Sequence, residues 1–241
     1  MNLSVVVPVY NEVENIELLH DEICQALEGV IDFEMLFVDD GSTDGTLEKL
    51  QEVAQKSSRL RVIRHITNAG QSTAVITGVH YARSEWIATL DGDGQNDPAD
   101  IPRLLEVRDQ AAGNAAEMYA GYRKKRNDSW LKRVSSRGAN AIRSRILHDS
   151  TPDTGCGLKL FMRDVFLALP HFDHLHRFLP ALVQRSGGRV EIVEVHHRAR
   201  VKGSSKYGFH NRLWVGIVDL IGVAWLQRRR VQVETTEVDK K

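Results

Sequence analysis

The feature that most narrows the fold is an alternation of two hydrophobic periods over the first ninety residues. Short β-branched runs at 3–9 (LSVVVPV), 33–38, 60–65 and 86–90 read as buried strands. Between them, 14–27, 44–54 and 70–82 carry apolar residues at helical spacing, as Ile16, Leu19, Ile23 and Leu27 do. Thr43 or Asp44 stands ready as N-cap of the second helix. This alternation implies an α/β fold, a mostly parallel sheet flanked by helices. Such sheets bind ligands outside the carboxyl ends of their strands. Three polar clusters fall there: Tyr10-Asn11-Glu12, Asp39-Asp40-Gly41-Ser42 and Asp91-Gly92-Asp93.

The second half is less regular. Residues 98–110, 130–147 and 177–186 read as helices, 118–121 and 189–196 as strands, and 155–161 as extended. No repeat or Gly/Ser linker divides the 241 residues. One domain over 1–210 is expected, then a helix over 211–230 and a polar tail over 231–241. With 42 % hydrophobic and 27 % charged residues, disorder and low complexity are excluded. Two cysteines, Cys24 and Cys156, make neither a disulfide framework nor a four-cysteine zinc site. Pro8 interrupts the first apolar run and no basic region precedes it, so a signal peptide is not expected.

Net charge is zero, but it is unevenly spread. Residues 1–100 hold 18 acidic and 6 basic residues, while 123–147 hold 9 basic and one acidic. Residues 185–230 hold 10 basic and 3 acidic. One reading is solvated faces. The other is an acidic half that holds a cation and a basic half that meets phosphate or an anionic surface.

Asp91 and Asp93, two apart directly after a strand, can turn toward one point. With the amide oxygen of Gln95 they offer hard ligands suited to Mg²⁺ or Mn²⁺. A plain turn would use the same residues. A carboxylate at the end of the second strand can accept hydrogen bonds from a base N–H or ribose hydroxyls. Tyr10 can stack on a base, and Glu12 suits a helix N-terminus. Gly203 and Gly208 bracket Lys206 in a loop able to close over a ligand. His171, His174 and His176 lie close in sequence, but their spacing does not project three ligands from one helix, and they read as structural. Cys156 reads as a small buried residue.

In this order and spacing, the segments VVPVYNEVENI (6–16), VDDGSTDGT (38–46), NAGQSTAVITG (68–78) and LDGDGQNDP (90–98) resemble the family 2 glycosyltransferases with a GT-A, Rossmann-like fold. The resemblance is nearer to the polyprenyl-phosphate glycosyltransferases of the dolichol-phosphate mannose synthase type. It runs on through Gly121-Tyr122-Arg123, SRGANAIRSRIL (136–147), DTGCGLKLF (153–161), His176-Arg177-Phe178 and RVKGSSKYG (200–208), covering about 3–210. It implies that Pro8, Tyr10, Glu12, Asp39, Asp40, Gly70 and Gln71 line the nucleotide-sugar pocket. It implies a metal on Asp91, Asp93 and Gln95, and phosphate contacts from Arg123, Arg200 and Lys206, with Arg137 in support. The implied reaction is inverting transfer from a UDP- or GDP-sugar to a polyprenyl phosphate on the cytoplasmic membrane face, with no nucleic-acid partner. Gly92 and Gly94 stand where the family commonly has bulkier residues, which predicts a looser metal loop.

Two other readings stay open. One is transfer to a hydroxyl, with Asp153 as the base. The other is a non-catalytic module that binds anionic lipid or nucleic acid through the basic half.

Residues 213–226 (LWVGIVDLIGVAWL) are too short to cross a bilayer. Trp214 and Trp225 near the ends, with Arg212 and Arg228 to Arg230 as flanks, suit an amphipathic helix in the membrane interface. Relatives often continue into transmembrane helices. This chain is therefore expected to reach a lipid acceptor from the surface or through an integral-membrane partner.

Overall fold

Strand β1 (Leu3–Val9) is buried along its whole length, between β2 (Phe33–Asp39) and β4 (Trp86–Thr89), parallel to both. Burial on both faces explains why its sequence is apolar at every position but Ser4 rather than alternating. The computed structural model of the chain describes residues 2–111, 113–123, 143–147, 149, 151–198 and 209–229. The remaining strands are β3 (Leu60–Arg64), β5 (Met118–Arg123), β6 (Lys159–Met162) and β7 (Val190–Val195). The seven-stranded order is β3-β2-β1-β4-β6-β5-β7. Among the described residues only β6 runs antiparallel, pairing with β4 and β5.

Helices α1 (Ile16–Leu27), α2 (Thr46–Lys56) and α4 (Ile101–Gln110) cover one face. There Val5, Val7 and Val9 of β1 pack with Ile16, Leu19, Ile23 and Leu104. Val6 points the other way, into a second core with Val75 and Val79 of α3 (Gln71–Tyr81). Phe166 of α5 (Arg163–Leu167), Leu182 of α6 (Leu179–Ser186) and Val223 of α7 (Phe209–Arg228) complete it.

Most expected elements fall within two residues of their observed bounds. The second helix starts at Thr46 rather than residue 44 because Gly45 takes a left-handed φ of 92°. Asp44 still accepts the Thr46 N–H at 3.0 Å, so the expected capping group acts from one position further out. Among the described residues, the 130–147 helix is seen only as the turn at 143–147.

The tail helix differs more. It spans 20 residues, and over 216–229, where its side chains are described, it carries apolar residues on two sides. Leu220, Val223 and Ala224 pack against the second core, while Ile217, Val218, Ile221 and Trp225 are exposed. Arg185 of α6 donates to the Leu226 carbonyl at 2.8 Å and His174 pairs with Asp219 at 2.9 Å, which fixes the inward face. Among the described residues no helix is long and apolar enough to cross a membrane.

Candidate active site

The carboxyl ends of β1, β2, β4 and β5 lie along one edge of the sheet. Because β6 is antiparallel, its entry lies at that edge too; the loop before it delivers Asp153, Cys156 and Gly157 to the same place, and its first residue is Lys159.

The β1–α1 and β2–α2 loops form one wall. Thr43 N–H donates to Asn11 Oδ1 at 2.7 Å, Asn11 N–H to Ser42 Oγ at 2.8 Å, and Glu12 N–H to Thr46 Oγ1 at 2.9 Å. Glu12 Oε2 accepts from the Asn15 amide at 2.7 Å, steadying the start of α1. Tyr10 is partly buried beside them.

Asp39 and Asp40 differ sharply. The Asp40 carboxylate accepts from Ala69 N–H at 2.9 Å and Gly70 N–H at 2.8 Å, and it meets His65 Nδ1 at 2.7 Å. It ties the turn before α3 to β2. Asp39 is fully buried, and its Oδ1 accepts the Ser42 N–H at 3.2 Å. Its Oδ2 has no partner among the described residues. Of the two, Asp39 keeps a buried oxygen unmatched among the described residues, and Asp40 builds the wall.

After β4 the chain turns through the paired carboxylates. Gln71 Nε2, from the first turn of α3, donates to Asp91 Oδ1 at 2.7 Å. Asp91 N–H donates to Asn96 Oδ1 at 3.1 Å, and Gln95 N–H to Asp93 Oδ1 at 3.1 Å. The loop is not loose. A Cβ on Gly92 would stand 2.6 Å from Val9 Cγ1 and 2.8 Å from the Pro8 carbonyl oxygen. The expected looseness is thus overturned at Gly92, where only glycine lets the turn lie on β1; Gly94 has open space and a φ of 71°. A Cβ on Gly157 would meet the Asp91 carboxylate at 2.3 Å, so this glycine admits that carboxylate to its place.

Burial and the charge of Asp93 push Asp91 up to about 6. Glu34, buried at the opposite end of the sheet, shows the contrast. Burial would raise it too, but hydrogen bonds from Arg61, Ser4 and the Arg83 N–H hold it below the usual range. Asp91 is a carboxylate whose charge the described residues leave incompletely met.

A cavity of about 300 Å³ opens beside Asp91. Pro8, Gln71, Cys156, Lys159, His176 and Arg177 are among its walls. Ser72 Oγ holds His176 Nδ1 at 2.7 Å. Burial, with Arg177 and Lys159 nearby, pushes His176 down to about 3, so it is neutral. The Cys156 thiol is buried and pushed up by that burial, which makes it a poor nucleophile. His171 and His174 turn to other partners, the Phe166 carbonyl and Asp219.

Arg123 closes the other side. Its Nε and Nη2 meet the two Asp153 oxygens at 2.7 and 2.9 Å, both side chains buried. Burial works against its charge, but the Asp153 hydrogen bonds hold the guanidinium above its ordinary range. Its charge faces the edge through this pair. Beyond β7, Arg198 grips Glu22 at 2.7 and 2.8 Å, and its backbone N–H donates to the Gln95 carbonyl at 3.1 Å. The chain is thereby stitched to the Asp91–Gln95 turn two residues before Arg200. Arg137, Arg200 and Lys206 lie outside the described residues.

The edge thus gathers Pro8, Tyr10, Glu12, Asp39, Asp40, Gly70, Gln71, Asp91, Asp93, Gln95 and Arg123. Lys159 and the cavity wall at His176, held from behind by Ser72, are not among the candidates the sequence offers. The available signal is a lysine opening an otherwise apolar strand, LKLF.

A model of the glycosyl transferase family 2 domain matches residues 4–169. A dodecaprenyl-phosphate galacturonate synthase of Rhizobium johnstonii is 34 % identical over 237 residues, 96 % of this chain and 69 % of that protein. An undecaprenyl-phosphate 4-deoxy-4-formamido-L-arabinose transferase of Edwardsiella ictaluri is 36 % identical over 208 residues, 86 % of this chain and 63 % of that protein. The chain thus spans roughly two thirds of these relatives' length. Among solved structures, residues 1–349 of S. aureus TarS in complex with UDP give a TM-score of 0.66 at 18 % identity, covering 97 % of this chain and 67 % of that one. M. tuberculosis glucosyl-3-phosphoglycerate synthase with Mn²⁺, UDP-glucose and phosphoglyceric acid gives 0.67 at 17 % identity, covering 96 % and 81 %. At such identities the likeness is one of fold.

Proposed function

The chain belongs to glycosyl transferase family 2, and on that footing we propose that it moves a sugar from a nucleotide-diphospho-sugar to a polyprenyl phosphate. The observation that carries this reading is Asp91, a carboxylate at the end of β4 pushed up by burial and by the charge of Asp93 two residues on, beside a cavity that holds cationic groups. Both relatives are named for transfer to a polyprenyl phosphate, which supports the acceptor class.

In this reading the unpartnered Asp39 oxygen takes a base N–H or a ribose hydroxyl, and Tyr10 lies against the nucleoside. Asp91, Asp93 and Gln95 would hold Mg²⁺ or Mn²⁺; their hard oxygens fit such an ion, and a second positive charge answers the pressure on Asp91. Bound there, the ion supplies electrostatic stabilisation of the diphosphate as it leaves. Arg123, joined by Arg200, Lys206 and Arg137, adds charge for the phosphates. A phosphate oxygen of the acceptor bonds to the anomeric carbon as the carbon–oxygen bond to the nucleotide breaks, and the electron pair departs with the diphosphate. The configuration inverts. With a second pKa of about 6, the acceptor phosphate is largely dianionic at neutral pH and needs no protein base.

The test is entry of labelled sugar into lipid. Label is expected with polyprenyl phosphate and not with the free polyprenol. Equal labelling of the polyprenol would overturn the acceptor assignment.

The outward face of α7 supports a peripheral place on a membrane, which this reading puts at the cytoplasmic face. Ile217, Val218, Ile221 and Trp225 offer apolar area, and exposed Arg228 and Arg229 suit anionic headgroups. Replacing Ile221 and Trp225 by serine should release the protein from phosphatidylglycerol-containing vesicles in a flotation assay. Undiminished flotation would contradict this placement, leaving an integral-membrane partner as the route to the lipid.

A further inference from the structure

Among the described residues, Lys159 is a buried cation without an ion pair. It is 3 % exposed, and no described carboxylate lies within salt-bridge distance of its ammonium. The hydrogen bond it makes goes to the Cys156 carbonyl. Burial pushes the ammonium's pKa down; the fields of Cys156, Asp91 and Asp153 oppose that only from longer range, and both carboxylates are committed elsewhere. Asp153 gives both oxygens to Arg123, and Asp91 belongs to the candidate metal pair. A buried ammonium left in this state is costly unless an anion completes it. Lys159 lines the cavity beside Asp91, and Arg177 lines it too.

The cavity's walls suit a sugar. At about 300 Å³ it is at the lower end of small-ligand pockets. Gln71 places an amide at its mouth, and neutral His176 keeps only Nε2 for a ligand because Ser72 occupies Nδ1. Apart from Asp91, no Asp or Glu is among its described walls. Once Asp91 serves a metal, the cavity is a space of mixed polar and apolar lining with the Lys159 ammonium in its wall.

We infer that this cavity receives the donor's sugar ring and that Lys159 selects a sugar bearing a carboxylate, a nucleotide-linked uronic acid. The inference rests on the transferase reading above. Lys159 holds the sugar carboxylate by a charge-assisted hydrogen bond. A neutral hexose in the same place leaves the ammonium unanswered, which is the basis of discrimination.

The test is donor binding by calorimetry with Mn²⁺ and no acceptor, so that it does not depend on turnover. The probes are UDP, UDP-glucuronate, UDP-galacturonate, UDP-glucose and UDP-galactose, with GDP, GDP-mannuronate and GDP-mannose as the second base series. In the series that binds, the uronate should bind at least about tenfold more tightly than its neutral counterpart. Lys159→Met should bring that ratio close to one while the bare nucleoside diphosphate binds as before. A wild-type ratio at or below one overturns the inference, whatever the variant's folding. So does a Lys159→Met that weakens the bare diphosphate as much as the uronate, because the cation would then serve the diphosphate. Diphosphate binding without uronate preference overturns this inference alone. No binding of either diphosphate overturns the transferase reading as well.

Discussion

Replacing Asp91 by asparagine is expected to abolish transfer and to raise the melting temperature of the metal-free protein. The two effects have one cause. Burial and the Asp93 charge lift Asp91 from 3.8 to about 6, so the folded chain binds that proton more tightly than the unfolded chain does. A raised carboxylate favours folding at low pH, and its contribution is lost as pH rises through about 6. At neutral pH the charged form costs stability, by up to about 3 kcal/mol on the usual conversion. Asparagine keeps an oxygen for the Gln71 amide and removes the charge. At about 2–4 °C per kcal/mol in a chain of this size, the gain should be several degrees. Mn²⁺ should raise the melting temperature of the native protein, more at pH 7 than at pH 5, and leave the variant unmoved. Asp93→Ala should also stop turnover in a folded protein. Retained turnover in either variant, or a lower metal-free melting temperature for Asp91→Asn, would sink the carboxylate-pair assignment.

Breaking the Arg123–Asp153 pair should cost far more stability. Removing either partner breaks a buried ion pair, a loss of roughly 3–5 kcal/mol. Asp153→Asn and Arg123→Gln should each lower stability on this scale, and the double variant should lose less than their sum. Transfer should fall with the position of the guanidinium. The hydroxyl-acceptor reading expects another pattern. A general base at Asp153 would give an Asp153→Asn protein of near-native stability whose pH profile has lost one limb. The geometry speaks against that pattern, because both Asp153 oxygens already accept from Arg123. A stable, inactive Asp153→Asn protein would restore it.

The parallel half of the sheet is readable because its signals are local. A strand buried on both faces is nearly continuously apolar, and the helices between carry their core residues on one stripe, as α1 does. The carboxylate turn after β4 is readable for the same reason. What escapes depends on distant pairing. That β6 runs antiparallel is decided by its partners β4 and β5, and only this brings Lys159 opposite Thr89 at the site edge. Asp39 and Asp40 are chemically alike in sequence. Successive residues of an extended chain point to opposite sides, so one meets the α3 turn and the other keeps a buried oxygen. Gly92 looks permissive because a glycine's neighbours in space, here Val9 and the Pro8 carbonyl, are invisible in the sequence. The tail reads as an amphipathic helix. It docks one apolar face on the protein and leaves the other outward, a division only packing reveals.

The central claim is that this strand edge joins a nucleotide-sugar to a lipid phosphate with the help of a divalent ion. Its most direct measurement is release of nucleoside diphosphate by the purified protein from a panel of UDP- and GDP-sugars with Mn²⁺. Each donor is tried with and without polyprenyl phosphate, then again after EDTA. The account predicts release that needs both the lipid phosphate and the metal. Release that ignores both, or no release from folded protein with any donor, would contradict it.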